Sequence, residues 1–228
     1  MIEAYVGLAR YNEYGLQEGG LMGDQLQTST PDSTGELATI PLAEFLEGSS
    51  GATIYRIKDI EQSNKMGKGI IKACDNPYIG YDTNNRYSIL AYGIFSGHKN
   101  GKPAECDNAS LIRVVIKYAS DIDPGDFTNA SARRVLEDSG LFLEPIKIGS
   151  DSPVYLGDII IRDDNNLLSI VGIGDPRPVP SPGTGGTNDY NELINKPSIN
   201  GTTLKGDKST SELKVNVPTV DGEVLVFH

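Results

Sequence analysis

From Asp175 to Thr187 the chain reads Asp-Pro-Arg-Pro-Val-Pro-Ser-Pro-Gly-Thr-Gly-Gly-Thr, with prolines at 176, 178, 180 and 182. Each proline fixes φ and lacks an amide donor, so neither a helix interior nor a central strand can cross this stretch. The alternating prolines make a stiff extended piece, and the glycines behind them a flexible one. Any core must therefore form on one side of this stretch or the other. The expected organisation is a large domain over 1–174, a linker over 175–187 and a short module over 188–228.

Bulk properties narrow the partners. The net charge is −11 over 228 residues, and the pI is about 4.6. Neutralising phosphates needs clustered Lys and Arg, so no nucleic-acid partner and no adsorption to anionic lipid are expected. No apolar run reaches the roughly 18 residues of a membrane span. Met1 to Tyr5 has neither the basic start nor the apolar stretch of a secretory signal. Cys74 and Cys106 are far apart and define no disulfide framework, so two free thiols are expected. With only His98 and His228 as imidazoles, no zinc site and no cofactor are expected.

Within the large domain the period of the apolar residues changes along the chain. Met1–Arg10 reads as a helix or a strand, and 15–34 as a long loop. Ile40–Leu46 reads as a helix start. Ile57–Ala73 has an imperfect helical spacing, and Thr83–Phe95 places Tyr87, Leu90, Ala91 and Ile94 at helical intervals. Asn108–Ala119 is the most apolar helix candidate, with Asp107 or Asn108 at its N-cap. Asn129–Ser139 follows, stopped by Gly140. Then Leu156–Ile161 and Leu167–Val171 form short β-branched runs separated by 162–166, a hairpin signal. Helices first and an antiparallel sheet last make an α+β fold. The module over 188–228 is polar and turn-rich, with turn dipeptides at Asn200–Gly201 and Asp221–Gly222. So small a set of apolar residues rarely folds alone, so the module needs a partner for its core.

Several pieces of the large domain recur in order in a known family. Arg10-Tyr11-Asn12-Glu13 precedes Gly19-Gly20-Leu21-Met22-Gly23-Asp24-Gln25. Gly80-Tyr81-Asp82 is followed by Arg86. Cys106-Asp107-Asn108-Ala109-Ser110 opens the apolar helix, Phe127–Phe142 ends in a Gly-Leu-Phe turn, and Gly157-Asp158-Ile159 opens the hairpin. Over about residues 1–172 the chain resembles the NlpC/P60-like cysteine peptidases of phage endolysins. That resemblance implies a papain-like domain, with helices packed on an antiparallel sheet. It also implies a nucleophilic Cys where this chain has Asn108 and a catalytic His where it has Asn166, with Asp107 retained beside the first. An acidic stretch from Thr28 to Leu37 reads as an insertion.

An amide can serve neither as thiolate nor as imidazole base, so the expectation is a domain without catalysis. The alternative of a displaced dyad pairs Cys106 with His98. It needs the thiol and the imidazole within hydrogen-bond reach. Asp163-Asp164-Asn165-Asn166 lacks the spacing of a calcium loop and reads as a solvated turn.

Beyond the linker, Tyr190, Leu193, Asn195, Lys196, Pro197, Ile199, Asn200, Gly201, Leu204 and Gly206 spell a segment that resembles phage head-fibre and tail-fibre proteins. The resemblance implies a small β-rich fibre module that associates as a homotrimer. Together these features suggest a structural virion protein on the capsid surface, a head fibre or decoration protein made in the host cytoplasm, with a capsid or other virion protein as partner. Two alternatives are an active cell-wall peptidase and a non-catalytic adsorption fibre that binds a host cell-surface glycan or peptide.

Overall fold

The computed structural model describes residues 3–24, 35–97, 102–149 and 152–179, and the backbone of 198–199 and 202–203. The chain divides into two units, Met1–Val179 and Pro180–His228. The first five residues of the expected linker belong to the first unit. Arg177 there donates to the carbonyls of Ile57 and Lys58, both at 2.6 Å.

The first unit is α+β. Its strands are β1 (Tyr5–Ala9), β2 (Leu37–Pro41), β3 (Ala52–Tyr55), β4 (Ile79–Tyr81), β5 (Ala104–Cys106), β6 (Ile146–Lys147), β7 (Ile159–Arg162) and β8 (Leu168–Ile173). Its helices are α1 (Leu42–Leu46), α2 (Ile60–Cys74), α3 (Ser88–Tyr92), α4 (Asn108–Ser120) and α5 (Ala132–Asp138). Six strands form one sheet in the order β2-β1-β8-β7-β3-β6, and every pairing in it is antiparallel. Strands β4 and β5 form a separate parallel pair.

Period-two alternation sends side chains to two cores. Ile159, Ile161, Leu168 and Ile170 join the helical side, where Met66, Ile70, Leu111, Ile112 and Val115 are buried. Val6, Leu8, Ile54, Ile160 and Val171 face the other side, which Phe45 of α1 covers. Helix α2 starts at Asp59, whose side chain accepts from the Gln62 amide, and it buries Ser63, Met66, Gly67, Ile70, Ala73 and Cys74 at helical spacing. It lies so close to β1 that a Cβ on Gly7 would sit 2.5 Å from Ile70 Cγ1.

Two expectations change. Thr83–Phe95 is not one amphipathic helix. Residues 82–85 turn, α3 is one short helix, and Gly93 at φ 65° ends it before a 3₁₀ turn. Ile89 is buried, whereas Tyr87 and Ala91 of the expected stripe are exposed. Ile40–Leu46 contains the end of β2 and then α1, because Pro41 closes the strand and stands at the helix start. The hairpin of β7 and β8 and the helix at Asn108 lie where the sequence sets them.

In the second unit the described backbone is a short antiparallel pair, β9 (Ser198–Ile199) with β10 (Thr202–Thr203). Ile199 of the fibre segment lies in β9. The other fibre-segment residues, from Tyr190 to Gly206, lie outside the described residues.

Candidate functional site

Helix α4 begins with a reciprocal cap. The Asp107 carboxylate accepts from the Ser110 amide at 2.7 Å, and the Asp107 amide donates to Ser110 Oγ at 3.0 Å. A carboxylate also suits the positive end of a helix dipole. Asp107 is held from outside by Arg86, Nη1 to Oδ2 at 2.9 Å. The same guanidinium reaches Asp126 at 3.1 Å and the Phe127 carbonyl at 2.6 Å.

Asn108, the first residue of α4, points inward and is 3% exposed. Its role follows from strand register. β1 and β8 pair at Val6–Val171 and Gly7–Ile170. Continuing that register would set Ala9 opposite Leu168, but the ladder stops at Gly7. The Asn108 amide fills the gap: Nδ2 donates to the Leu168 carbonyl at 2.6 Å, and Oδ1 accepts from the Ala9 amide at 3.3 Å. One side chain thus supplies both halves of a missing rung. A thiol, a weak donor and weak acceptor, could not replace it. Asn108→Ala leaves a buried N–H and a buried C=O without partners, and the expected loss is roughly 1–3 kcal/mol of unfolding free energy by chemical denaturation.

Asn166 sits in the turn between β7 and β8 with φ 55°. Its amide donates to the Arg162 carbonyl at 3.1 Å, and its Oδ1 accepts from Arg133 Nε at 3.1 Å. Arg133 also holds Thr53 Oγ1, the Arg162 carbonyl and Asp163. Asn166 and Asn108 share no hydrogen bond: the β8 residue that meets Asn108 is Leu168, and Asn166 is held by Arg133. The neighbouring carboxylates are paired with cations, Asp163 with Arg133 and Lys147, and Asp164 with Arg162.

Neither thiol faces open space. Cys106 is fully buried, its Sγ 3.4 Å from the Gly80 carbonyl. Burial raises its pKa well above the usual thiol range, with Asp107 and Glu105 adding to the effect. Cys74 is buried with Sγ 3.6 Å from the Ala38 carbonyl, and burial pushes it up to about 12. A thiolate nucleophile needs the opposite environment. His98 and His228 lie outside the described residues.

Beside Asn108 opens a cavity of about 650 Å³. Leu8, Ala9, Ile40, Phe45 and Leu167 give it apolar walls, while Gln17, Tyr81, Thr83, Thr128 and Asn129 supply hydroxyl and amide groups. Arg10, Arg86 and Arg162 face Glu44 and Asp107 around it. Among the described residues lining it there is no Cys, Ser or His. The arrangement can hold a polar ligand against an apolar wall, and its polar groups are mostly braced by the protein.

The Arg10–Asp24 segment contributes Arg10 and Gln17 to the wall of this cavity. Asn12 is buried and satisfies all its amide valences: it accepts from Tyr14 and Leu16 and donates to Glu18 and Gly19. Glu13 accepts from the Leu21 amide at 2.7 Å. Tyr81 Oη donates to Gln17, whose backbone carbonyl accepts from both Thr83 N and Oγ1. Sequence reading missed the buried acids Glu36 and Glu105 near this wall. Glu36 lies in the acidic stretch read as an insertion and Glu105 immediately before the Cys106–Ser110 motif, and only the fold brings them together.

Comparison with known proteins adds one match. The family model described as an endolysin-like domain matches residues 6–171. No curated protein matches the chain, and no solved structure does. That match takes in β2 through β7, all but the outer ends of β1 and β8, the capped start of α4 and every residue lining the cavity. The chain belongs to the endolysin-like domain family, a bacteriophage-related and peptidoglycan-associated class of domain.

Proposed function

We propose that the chain is a structural virion protein of a bacteriophage, a capsid head fibre or decoration protein built on an endolysin-like domain kept without catalysis. The observation that carries this reading is Asn108. The position at which a peptidase of this type would present its nucleophile is spent on closing the sheet between Ala9 and Leu168. Cys106, two residues earlier, is buried, is not among the residues lining the cavity, and has its pKa raised by burial. The finer fold assignment, a papain-like NlpC/P60 domain, draws support from a helix start set against an antiparallel sheet. The fibre-like segment from Tyr190 to Gly206 supports a trimer that projects from the particle behind the proline spacer.

The cavity favours a second role for the same protein. Its walls offer hydroxyls, amides and the Phe45 ring to a polar ligand, so an adsorption fibre that holds a host cell-surface glycan or peptide fits the same geometry.

Purified protein incubated with peptidoglycan distinguishes these readings from a lytic enzyme. The expected result is no release of soluble fragments above background. Release that is abolished by thiol alkylation would overturn the non-catalytic reading. Retention of the protein on the sedimented sacculus, without release, is the outcome expected of the adsorption role.

A further inference from the structure

The loop from Asn12 to Asp24 carries Gln17 into the cavity wall, and buried carboxylates tie it to β4 and β5. Glu105 in β5 accepts from the Gly23 amide at 2.7 Å. Glu36, just before β2, accepts from the Tyr81 amide at 2.7 Å, and its own amide donates to Asp24 Oδ1 at 3.2 Å. Glu36 is 1% exposed and Glu105 is 2% exposed.

The two acids converge on neighbouring residues of β4. Glu36 takes the Tyr81 amide, and Glu105 Oε2 lies over Gly80, where a Cβ would come within 2.8 Å of it. Glu105 Oε2 is buried with no hydrogen-bond partner among the described residues, and the Glu36 carboxyl lies within hydrogen-bond reach of that of Glu13.

The surrounding charges are mostly of the same sign. Glu13 and Asp24 act on Glu36, and Glu13 and Asp82 act on Glu105 in addition to Glu36. Cys106 adjoins both acids. Arg10 donates from Nη2 to the carbonyl of Gly35, the residue before Glu36, at 3.0 Å. Two ionised carboxylates buried among other acids are costly, and protonation relieves most of that cost.

We propose that Glu36 and Glu105, while protonated, hold the Asn12–Asp24 loop against β4 and β5, so that the cavity wall is fixed in acid solution and loosens as the pH rises through neutral. Burial pushes Glu36 up to about 7 and Glu105 up to about 8, from an ordinary value of 4.5. Both shifts are upward, so the latch is fully formed below the ordinary carboxyl range. It is lost as pH rises through the two raised values. This inference concerns the loop alone and stands whether or not the cavity binds a ligand.

Hydrogen exchange of the full chain tests it, with rates corrected for the intrinsic effect of pH. Between about pH 6 and about pH 9, protection of the Gly23 and Tyr81 amides is expected to fall by at least about tenfold, while amides inside α4 fall less. In the Glu36→Gln/Glu105→Gln variant, protection should stay flat, because Gln mimics the protonated acid. Should that variant fail to fold, Glu105→Gln alone should remove the upper part of the decline. Wild-type protection that is flat over this range, or that declines equally in the Gln variants, would overturn the proposal.

Discussion

Arg56→Ala is expected to cost the domain roughly 3–5 kcal/mol of unfolding free energy, because it strands a buried charge. Arg56 grips Asp158 with two parallel bonds, Nε to Oδ1 at 2.9 Å and Nη2 to Oδ2 at 2.7 Å. Asp158 is fully buried and Arg56 nearly so. The guanidinium also donates to the Pro153 carbonyl at 2.9 Å and stacks on Tyr155, 4.6 Å from its ring centroid. Burial raises the Asp158 carboxyl, and Arg56 together with the Tyr155 amide opposes that rise. Without Arg56 the upward push goes largely unopposed. The variant should therefore be least stable at alkaline pH and recover as Asp158 takes up a proton. Chemical denaturation at two pH values measures both effects. A loss under about 1 kcal/mol at neutral pH would show that Asp158 finds other partners.

Gly157→Ala is expected to be at least as damaging. Gly157 has φ 85°, and a Cβ there would lie 1.9 Å from the Ser63 carbonyl oxygen of α2. Its amide donates to the Val171 carbonyl at 2.8 Å, while Ser63 Oγ donates to the Leu156 carbonyl at 2.8 Å. The backbone is thus pinned from both sides. An alanine must adopt a left-handed conformation and push α2 off the sheet, so a loss beyond about 4 kcal/mol or failure to fold is expected. Thermal denaturation reads this directly. A shift in Tm of only a few degrees would mean that α2 gives way easily.

Gly157 and Asp158, the partner of Arg56, belong to the Gly-Asp-Ile segment that, on sequence, resembles the approach to a catalytic His. In the structure they serve the fold. Gly157 admits α2, Asp158 anchors Arg56, and Ile159 is buried in the helical core. Such a motif has a structural role that needs no catalysis, because removing it would cost the sheet its contact with α2.

The same distinction explains what was legible in the chain. The β7–β8 hairpin could be read because its β-branched runs flank a polar turn. The start of α4 could be read because Asp107 is a strong cap whatever follows it. The Thr83–Phe95 helix failed because a favourable apolar spacing does not reveal a left-handed Gly93 or an Asp82 turn. The role of Asn108 was out of reach: it depends on β1 and β8 ceasing to pair at Gly7, a register set by residues over a hundred and fifty positions apart. Glu36 and Glu105 were missed for the same reason, since β4 and β5 bring them together only after folding.

The central claim is that this endolysin-like domain is carried on the particle rather than used to open the cell wall. Quantitative mass spectrometry of gradient-purified phage particles tests it most directly. The expected result is the intact chain on the particle at a fixed copy number divisible by three, retained through high-salt washing. Its absence from particles, with the whole pool free in the lysate, would contradict the claim.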